Sequence, residues 1–166
     1  MIKLFSFLID KNQINVEIDF DGSRYPVEIP RGTSTEQFNT LAAGESAIYQ
    51  GNEIEVPLIE IAHARSGDKG NHSNIGVIAR KTEYLPWIRA ALTEQAVASY
   101  MQHVLDAEKG RVIRYELPGL NALNFMLENA LGGGGVASLR IDPQGKAFAQ
   151  QLLDMPVKVP AHLLEK

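Results

Sequence analysis

Cysteine is absent from this chain of 166 residues. That excludes disulfides, thiolate metal sites and a cysteine nucleophile, and it fits a cytoplasmic protein. Long hydrophobic runs are missing too, and none approaches the length of a membrane-spanning helix. The opening Met1 to Ile9 is apolar with one lysine, but Asp10 and Lys11 follow and no small-residue cleavage site appears. Leu4 to Ile9 therefore reads as a strand and not as a signal peptide. Blocks of one charge sign are lacking: 16 basic and 20 acidic side chains are dispersed along the chain, for a net charge of −4. No basic stripe offers itself to nucleic acid or to an anionic membrane. What is present is an ordinary globular composition, 45% apolar. It suffices for one core-forming domain, or one domain with an appendage.

Residues 1–55 read as a β-rich arm. Ile14, Val16, Ile18 and Phe20 alternate with polar neighbours, the period of a half-buried strand. Asp21-Gly22 then suits a type I′ turn, because both central residues need positive φ. Tyr25, Val27 and Ile29 alternate on the return strand. Ser34 with Gln37 resembles a capping box, which predicts a short helix to Ala42.

The main domain is expected over residues 56–160, with 161–166 as a tail. Val56 to Ala64 and Asn74 to Arg80 read as strands. Pro86 suits the first turn of a helix holding Trp87, Ile88 and Leu92. Thr93 can cap a second helix with the stripe Val97, Tyr100, Met101, Val104 and Leu105, ended by Gly110. Arg111 to Leu117 alternates as a strand. Pro118-Gly119 leads into a predicted third helix with Leu120, Leu123, Leu127, Ala130 and Leu131 on its buried side. After Gly132 to Gly135, Val136 to Ile141 reads as a strand. Asp142-Pro143 opens a last helix with Phe148, Leu152 and Met155 inward, and Pro156 stops it ahead of an edge strand, Val157 to Val159. Helices and strands alternating after an initial strand pair predict an α+β two-layer sandwich, with a ferredoxin-like topology among the few that fit.

The densest polar stretch is Arg65 to Ile75, Arg-Ser-Gly-Asp-Lys-Gly-Asn-His-Ser-Asn-Ile. It reads as a connection about twice the usual hairpin length. Gly67 and Gly70 could turn backbone N–H groups toward an anion, with Arg65 and Lys69 adding charge. The alternative is a turn held by Asp and Asn side chains bonding local backbone. His72 is the only residue of the stretch with a general base's ordinary pKa. Asp68, His72 and Asn74 are metal-ligand types, yet their spacing is no metal signature, and no metal is expected. The four glycines suggest a close approach of backbone or ligand, or a flexible connection. On the predicted third helix, Asn121, Asn124 and Glu128 would share a face. Arg140 could grip a carboxylate or phosphate, or pair with Asp142 or Glu128. The candidate groups are thus His72, Asp68 and Lys69 for catalysis. Arg65, Ser66, Gly67, Gly70, Asn74, Asn121, Asn124, Gly133, Gly134 and Arg140 are the candidates for ligand binding.

Several motifs in register carry a resemblance. They are Arg65-Ser-Gly-Asp-Lys-Gly with Ser73-Asn-Ile-Gly-Val-Ile-Ala-Arg80, Tyr84-Leu-Pro-Trp, and Arg114-Tyr-Glu-Leu-Pro-Gly. Asn121-Ala-Leu-Asn-Phe, Leu131-Gly-Gly-Gly-Gly-Val-Ala-Ser-Leu-Arg140, Asp142-Pro-Gln-Gly-Lys146 and Leu153-Asp-Met-Pro156 continue the series. Together they resemble the C-terminal, ferredoxin-fold module of the acyclic terpene utilisation AtuA family. Asn71 stands where that pattern has an acidic residue. The resemblance implies a module that works with a larger AtuA-like domain or subunit, to which residues 1–55 would be the tail. It also implies catabolism of citronellol or geraniol through coenzyme A thioesters. No required cofactor is implied, and no catalytic residue can be carried over. Three readings follow: a binding or accessory module for acyl-coenzyme A intermediates, an acyl-coenzyme A lyase or hydratase with His72 as base, or a structural homo-oligomerisation domain.

Overall fold

The computed structural model describes residues 7–30 and 51–164, which fall in two units. In the first, β1 (Glu17–Phe20) and β2 (Ser23–Pro26) form an antiparallel hairpin. Asp21 and Gly22 between them have φ of 50° and 77°, the pair of positive values that a type I′ turn needs. The arm's hairpin is therefore present. Ile18, Phe20 and Tyr25 share one face by the cross-strand register. On the other, Arg24 lies 3.7 Å from both Glu17 and Asp19. Residues 7–9 of the expected opening strand join no ladder among the described residues. Residues 4–6 and the helix predicted from Ser34 lie outside them.

In the second unit, β3 (Glu53–Pro57) is followed by a 3-10 turn at Leu58–Glu60 and then by β4 (Ala62–Lys69) and β5 (His72–Ala79). The boundary expected after residue 55 thus falls inside β3. The single strand expected over 56–64 is broken by the 3-10 turn. Helices α1 (Leu85–Ala91) and α2 (Glu94–Tyr100) come next. Pro86 sits in the first turn of α1, where its missing N–H costs nothing. Thr93 caps α2 through its hydroxyl, which accepts from the Ala96 N–H at 3.1 Å. The predicted stripe on α2 holds, but beyond Tyr100 the chain tightens into three-residue turns. There Val104 N–H bonds Met101 O and Leu105 N–H bonds Gln102 O.

Strands β6 (Arg111–Leu117) and β7 (Ala122–Glu128), helix α3 (Phe148–Leu153) and strand β8 (Pro156–Pro160) complete the unit. One antiparallel sheet has the order β4-β5-β7-β6, while β8 pairs with β3 in a separate two-stranded sheet. Because β7 lies antiparallel to both β5 and β6, those two strands run parallel, with β7 slotted between them. Strand β5, helices α1–α2 and strand β6 therefore make a split β-α-β unit, which is the ferredoxin-like α+β arrangement. The place beside β5 is taken by the preceding strand, β4.

Among the described residues, helices cover one face of the sheet only. Ile75 and Val77 of β5 and Leu123, Phe125 and Leu127 of β7 pack there against Ile88, Leu92, Val97, Met101, Phe148 and Leu152. The opposite face is open: Ile78 is 45% and Tyr115 48% exposed.

Two predicted elements are absent. The third helix is strand β7. Leu117-Pro118-Gly119-Leu120 is a turn closed by Leu120 N–H to Leu117 O at 3.2 Å, with Gly119 at φ 83°, as a type II turn with proline second and glycine third requires. Its apolar residues satisfy helical and two-residue spacing equally. The strand expected over 136–141 is a series of turns, because Ala137 and Ser138 N–H groups both fold back onto Gly134 O. Asp142 is not the N-cap expected of it: its carboxylate accepts from Lys146 and Ala147 N–H at 2.9 and 2.8 Å and closes a turn, while regular helix begins only at Phe148, with Ala147 at its N-cap.

A one-sided core gives a sharp expectation. Phe125→Ala should cost about 3–5 kcal/mol, whereas Ile78→Ala on the open face should cost about 1 kcal/mol or less. Urea unfolding of both variants checks it. Equal losses would mean that the open face is covered.

Candidate functional site

The polar stretch at 65–75 is not a loop. It forms the ends of β4 and β5 and the two-residue turn between them, with Lys69 opposite His72. Gly70 takes φ 67°, so Gly70-Asn71 reads as a II′-type hairpin turn. That dipeptide between two strands was the signal that the sequence reading passed over.

Alternation along the hairpin divides the candidates between two faces. Ser66, Asp68 and Ser73 point to the helix side. The buried Ser66 hydroxyl accepts from Ala149 N–H at 2.9 Å and lies 3.2 Å from Lys146 O, as a donor. Ser73 donates to Gly67 O at 3.0 Å. Asp68 pairs with Lys146 at 3.7 Å. Arg65, Lys69, His72 and Asn74 belong to the open face. Asp68 therefore does not converge with His72 and Lys69 as a catalytic group, nor with His72 and Asn74 as a metal ligand. No cluster of three His, Cys, Asp or Glu able to hold a metal occurs among the described residues.

The two glycine-rich segments do meet. Asn71, which the sequence reading noted only as a departure, is where they join. Its carbonyl accepts from Ala130 and Leu131 N–H at 3.0 and 3.1 Å, and its Oδ1 accepts from Gly133 N–H at 2.6 Å. Its Nδ2 donates to Asn129 Oδ1 at 3.1 Å. A Cβ on Gly134 (φ 87°) would stand 2.8 Å from Gly70 O. What approaches Gly133 and Gly134 closely is this chain's own hairpin tip. Arg140 is likewise spent internally, donating to Val104 O at 2.6 Å and also to Ala130 O. Asn121 is a turn residue with φ 50°, donating to Thr82 Oγ1 at 3.1 Å.

His72 Nδ1 accepts from Asn129 N–H at 2.9 Å. A backbone N–H can only donate, so the neutral imidazole carries its proton on Nε2. The outward nitrogen is then a donor, the wrong role for a general base. Nearby, Arg111 and Glu128 form a cross-strand ion pair and hydrogen bond. The guanidinium holds the Glu128 carboxyl below its usual range, and the carboxylate raises Arg111.

The open face runs in four rows across β4, β5, β7 and β6. They are Lys69, His72, Glu128, Arg111; then Gly67, Asn74, Met126, Ile113; then Arg65, Gly76, Asn124, Tyr115; and last His63, Ile78, Ala122, Leu117. Arg65 and Gly76 of the third row and all of the last row, with Leu120, line an apolar trough of about 360 Å³. The Arg65 side chain has no hydrogen bond or ion pair with any described residue, and its cation stands at the edge of apolar surface. A wider hollow of about 800 Å³ on the arm, between Lys11–Glu17 and Pro26–Pro30, is bordered by a hairpin without a buried residue. It has no built walls, and the trough is the better site.

Residues 56–158 match the family model of the AtuA ferredoxin-like domain. No curated protein and no solved structure matches the chain significantly.

The clasp at the hairpin tip can be measured. Gly70→Ala meets no atom within 4 Å and should cost about 1 kcal/mol for its positive φ. Gly134→Ala adds a backbone clash and should cost at least about 2 kcal/mol. Nitrogen NMR should find the His72 imidazole protonated at Nε2, and protonation at Nδ1 instead would remove the bond from Asn129.

Proposed function

The chain belongs to the AtuA ferredoxin-like domain family, and from that premise we propose that it is a binding module for acyl-coenzyme A thioesters. It presents them on the open sheet face to a larger AtuA-like domain, in the breakdown of acyclic terpenes. The observation that carries this reading is the apolar trough next to Arg65, whose side chain has no partner among the described residues. An acyl chain supplies apolar surface for Ile78, Ala122, Leu117 and Leu120, and its coenzyme A end supplies anionic groups for Arg65.

The hairpin tip, richest in conspicuous residues, is left out of this reading because its groups are occupied by Asn129–Gly134. With His72 donating outward, the module holds its ligand and leaves chemistry to the partner. A lone lyase or hydratase with His72 as base finds no support in that geometry.

Octanoyl-coenzyme A and citronelloyl-coenzyme A should raise the melting temperature progressively with concentration, and the isolated chain should return both unchanged. Arg65→Ala should weaken binding about three- to tenfold and flatten its salt dependence. Melting temperatures unmoved at millimolar ligand would end the proposal.

A further inference from the structure

Glycine in the middle of a central strand is a cost. It loses more chain entropy on folding than any other residue and packs nothing, at about 0.5–1 kcal/mol relative to alanine. Gly76 occupies such a place on β5, between β4 and β7. Its φ is not positive, so its backbone conformation does not demand glycine. Nor does crowding: among the described residues the nearest atom to a Cβ built there is the Arg65 carbonyl oxygen, 3.9 Å away. Folding does not explain this glycine, and the gap it leaves opens into the trough.

Arg65 and Asn124 flank Gly76 on the adjoining strands. Asn124 is held by its diagonal neighbour Asn74, whose Nδ2 donates to Asn124 Oδ1 at 3.0 Å. That bond fixes both amides and leaves the Asn124 Nδ2 and the Asn74 Oδ1 without a partner among the described residues. Interchanging N and O in both amides would still leave one donor and one acceptor there. Beside the apolar trough, then, stand a fixed hydrogen-bond donor and an empty floor about one functional group wide.

We infer that Gly76 and Asn124 form the seat of the acyl carbonyl: the thioester group lies over Gly76, and its oxygen accepts from the Asn124 amide. This rests on the acyl-coenzyme A reading above and adds which residues read the thioester itself. Asn74 acts as a positioning residue. The acyl chain extends over Ile78 and Ala122, and the pantetheine arm leaves across β4 beside Arg65. A longer side chain at residue 76 would fill the seat without disturbing the sheet.

The test is calorimetric titration of the full chain with octanoyl-coenzyme A, with its thioether analogue S-octyl-coenzyme A, which lacks the carbonyl, and with coenzyme A alone. The wild type should prefer the thioester to the thioether about tenfold, the worth of one well-placed hydrogen bond. Asn124→Leu should erase that preference while leaving coenzyme A affinity unchanged. Gly76→Val should weaken both acyl ligands tenfold or more and melt no lower than the wild type, so lost binding cannot be lost folding. A wild type that binds the thioester no better than the thioether overturns the seat alone. So does an Asn124→Leu variant that keeps the preference, or a Gly76→Val variant that binds normally. No binding of octanoyl-coenzyme A by the wild type overturns the functional reading with it.

Discussion

The side chain and carbonyl of Asn71 tie the tip of one hairpin to the segment after β7, and the arrangement of the open face depends on that tie. It uses four hydrogen bonds, to Asn129, Ala130, Leu131 and Gly133. With the turn pinned, Lys69 must oppose His72 and each pair along β4–β5 follows. Side chains on a strand alternate, so a slip of one residue would carry Arg65, Asn74 and the gap at Gly76 to the helix side. It would also drive Ile75 and Val77 out of the core. The tip fixes parity, and the groups that the proposed reading uses lie farther down the strands.

Parity also explains how polar residues survive beneath the helices. Ser66 and Ser73 are both buried, which a hydroxyl tolerates only when its hydrogen bonds are made. Ser66 joins the start of α3 to β4, and Ser73 bonds back to Gly67 across the hairpin. Gly145, at φ 59°, makes room for this: a Cβ there would lie 2.6 Å from Ser73 Oγ. Much of the conspicuous motif from Arg65 to Ser73 thus joins an edge strand to the segment that opens α3. Asp68, paired with Lys146 along that border, belongs to the same seam.

The sequence disclosed the hairpin at Asp21-Gly22, the cap at Thr93, the proline in α1 and the α+β class, because each rests on local chemistry with one outcome. Its failures have a different origin. Leu120, Leu123, Leu127, Ala130 and Leu131 fit a helix, while Leu123, Phe125 and Leu127 fit a strand. Only pairing of β7 with β5 and β6 decides between them. Arg65 to Asn74 looks like loop because serine, glycine, aspartate and lysine are poor strand formers. Their pairing is secured by tertiary partners that spacing cannot reveal. Of the residues singled out beforehand, the sheet sets Arg65, Lys69, His72, Asn74 and Asn124 on its open face. Asn71 and Gly76 went unselected, since their roles depend on what stands opposite them.

The conspicuous glycines do not include the glycine of the proposed seat. Gly70, Gly119, Gly134 and Gly145 all have positive φ, and a β-carbon on Gly134 or Gly145 would also collide with the chain itself. Their presence is fully explained by folding, however much a run of four invites a functional reading. Gly76 has ordinary strand geometry and open space above it, so alanine or valine should stabilise β5 at that position. A residue that weakens its own strand without easing any strain points to a demand from outside the fold. In the proposed reading that demand is the thioester, seated beside Arg65 and the outward Asn124 amide, where apolar and polar surface meet.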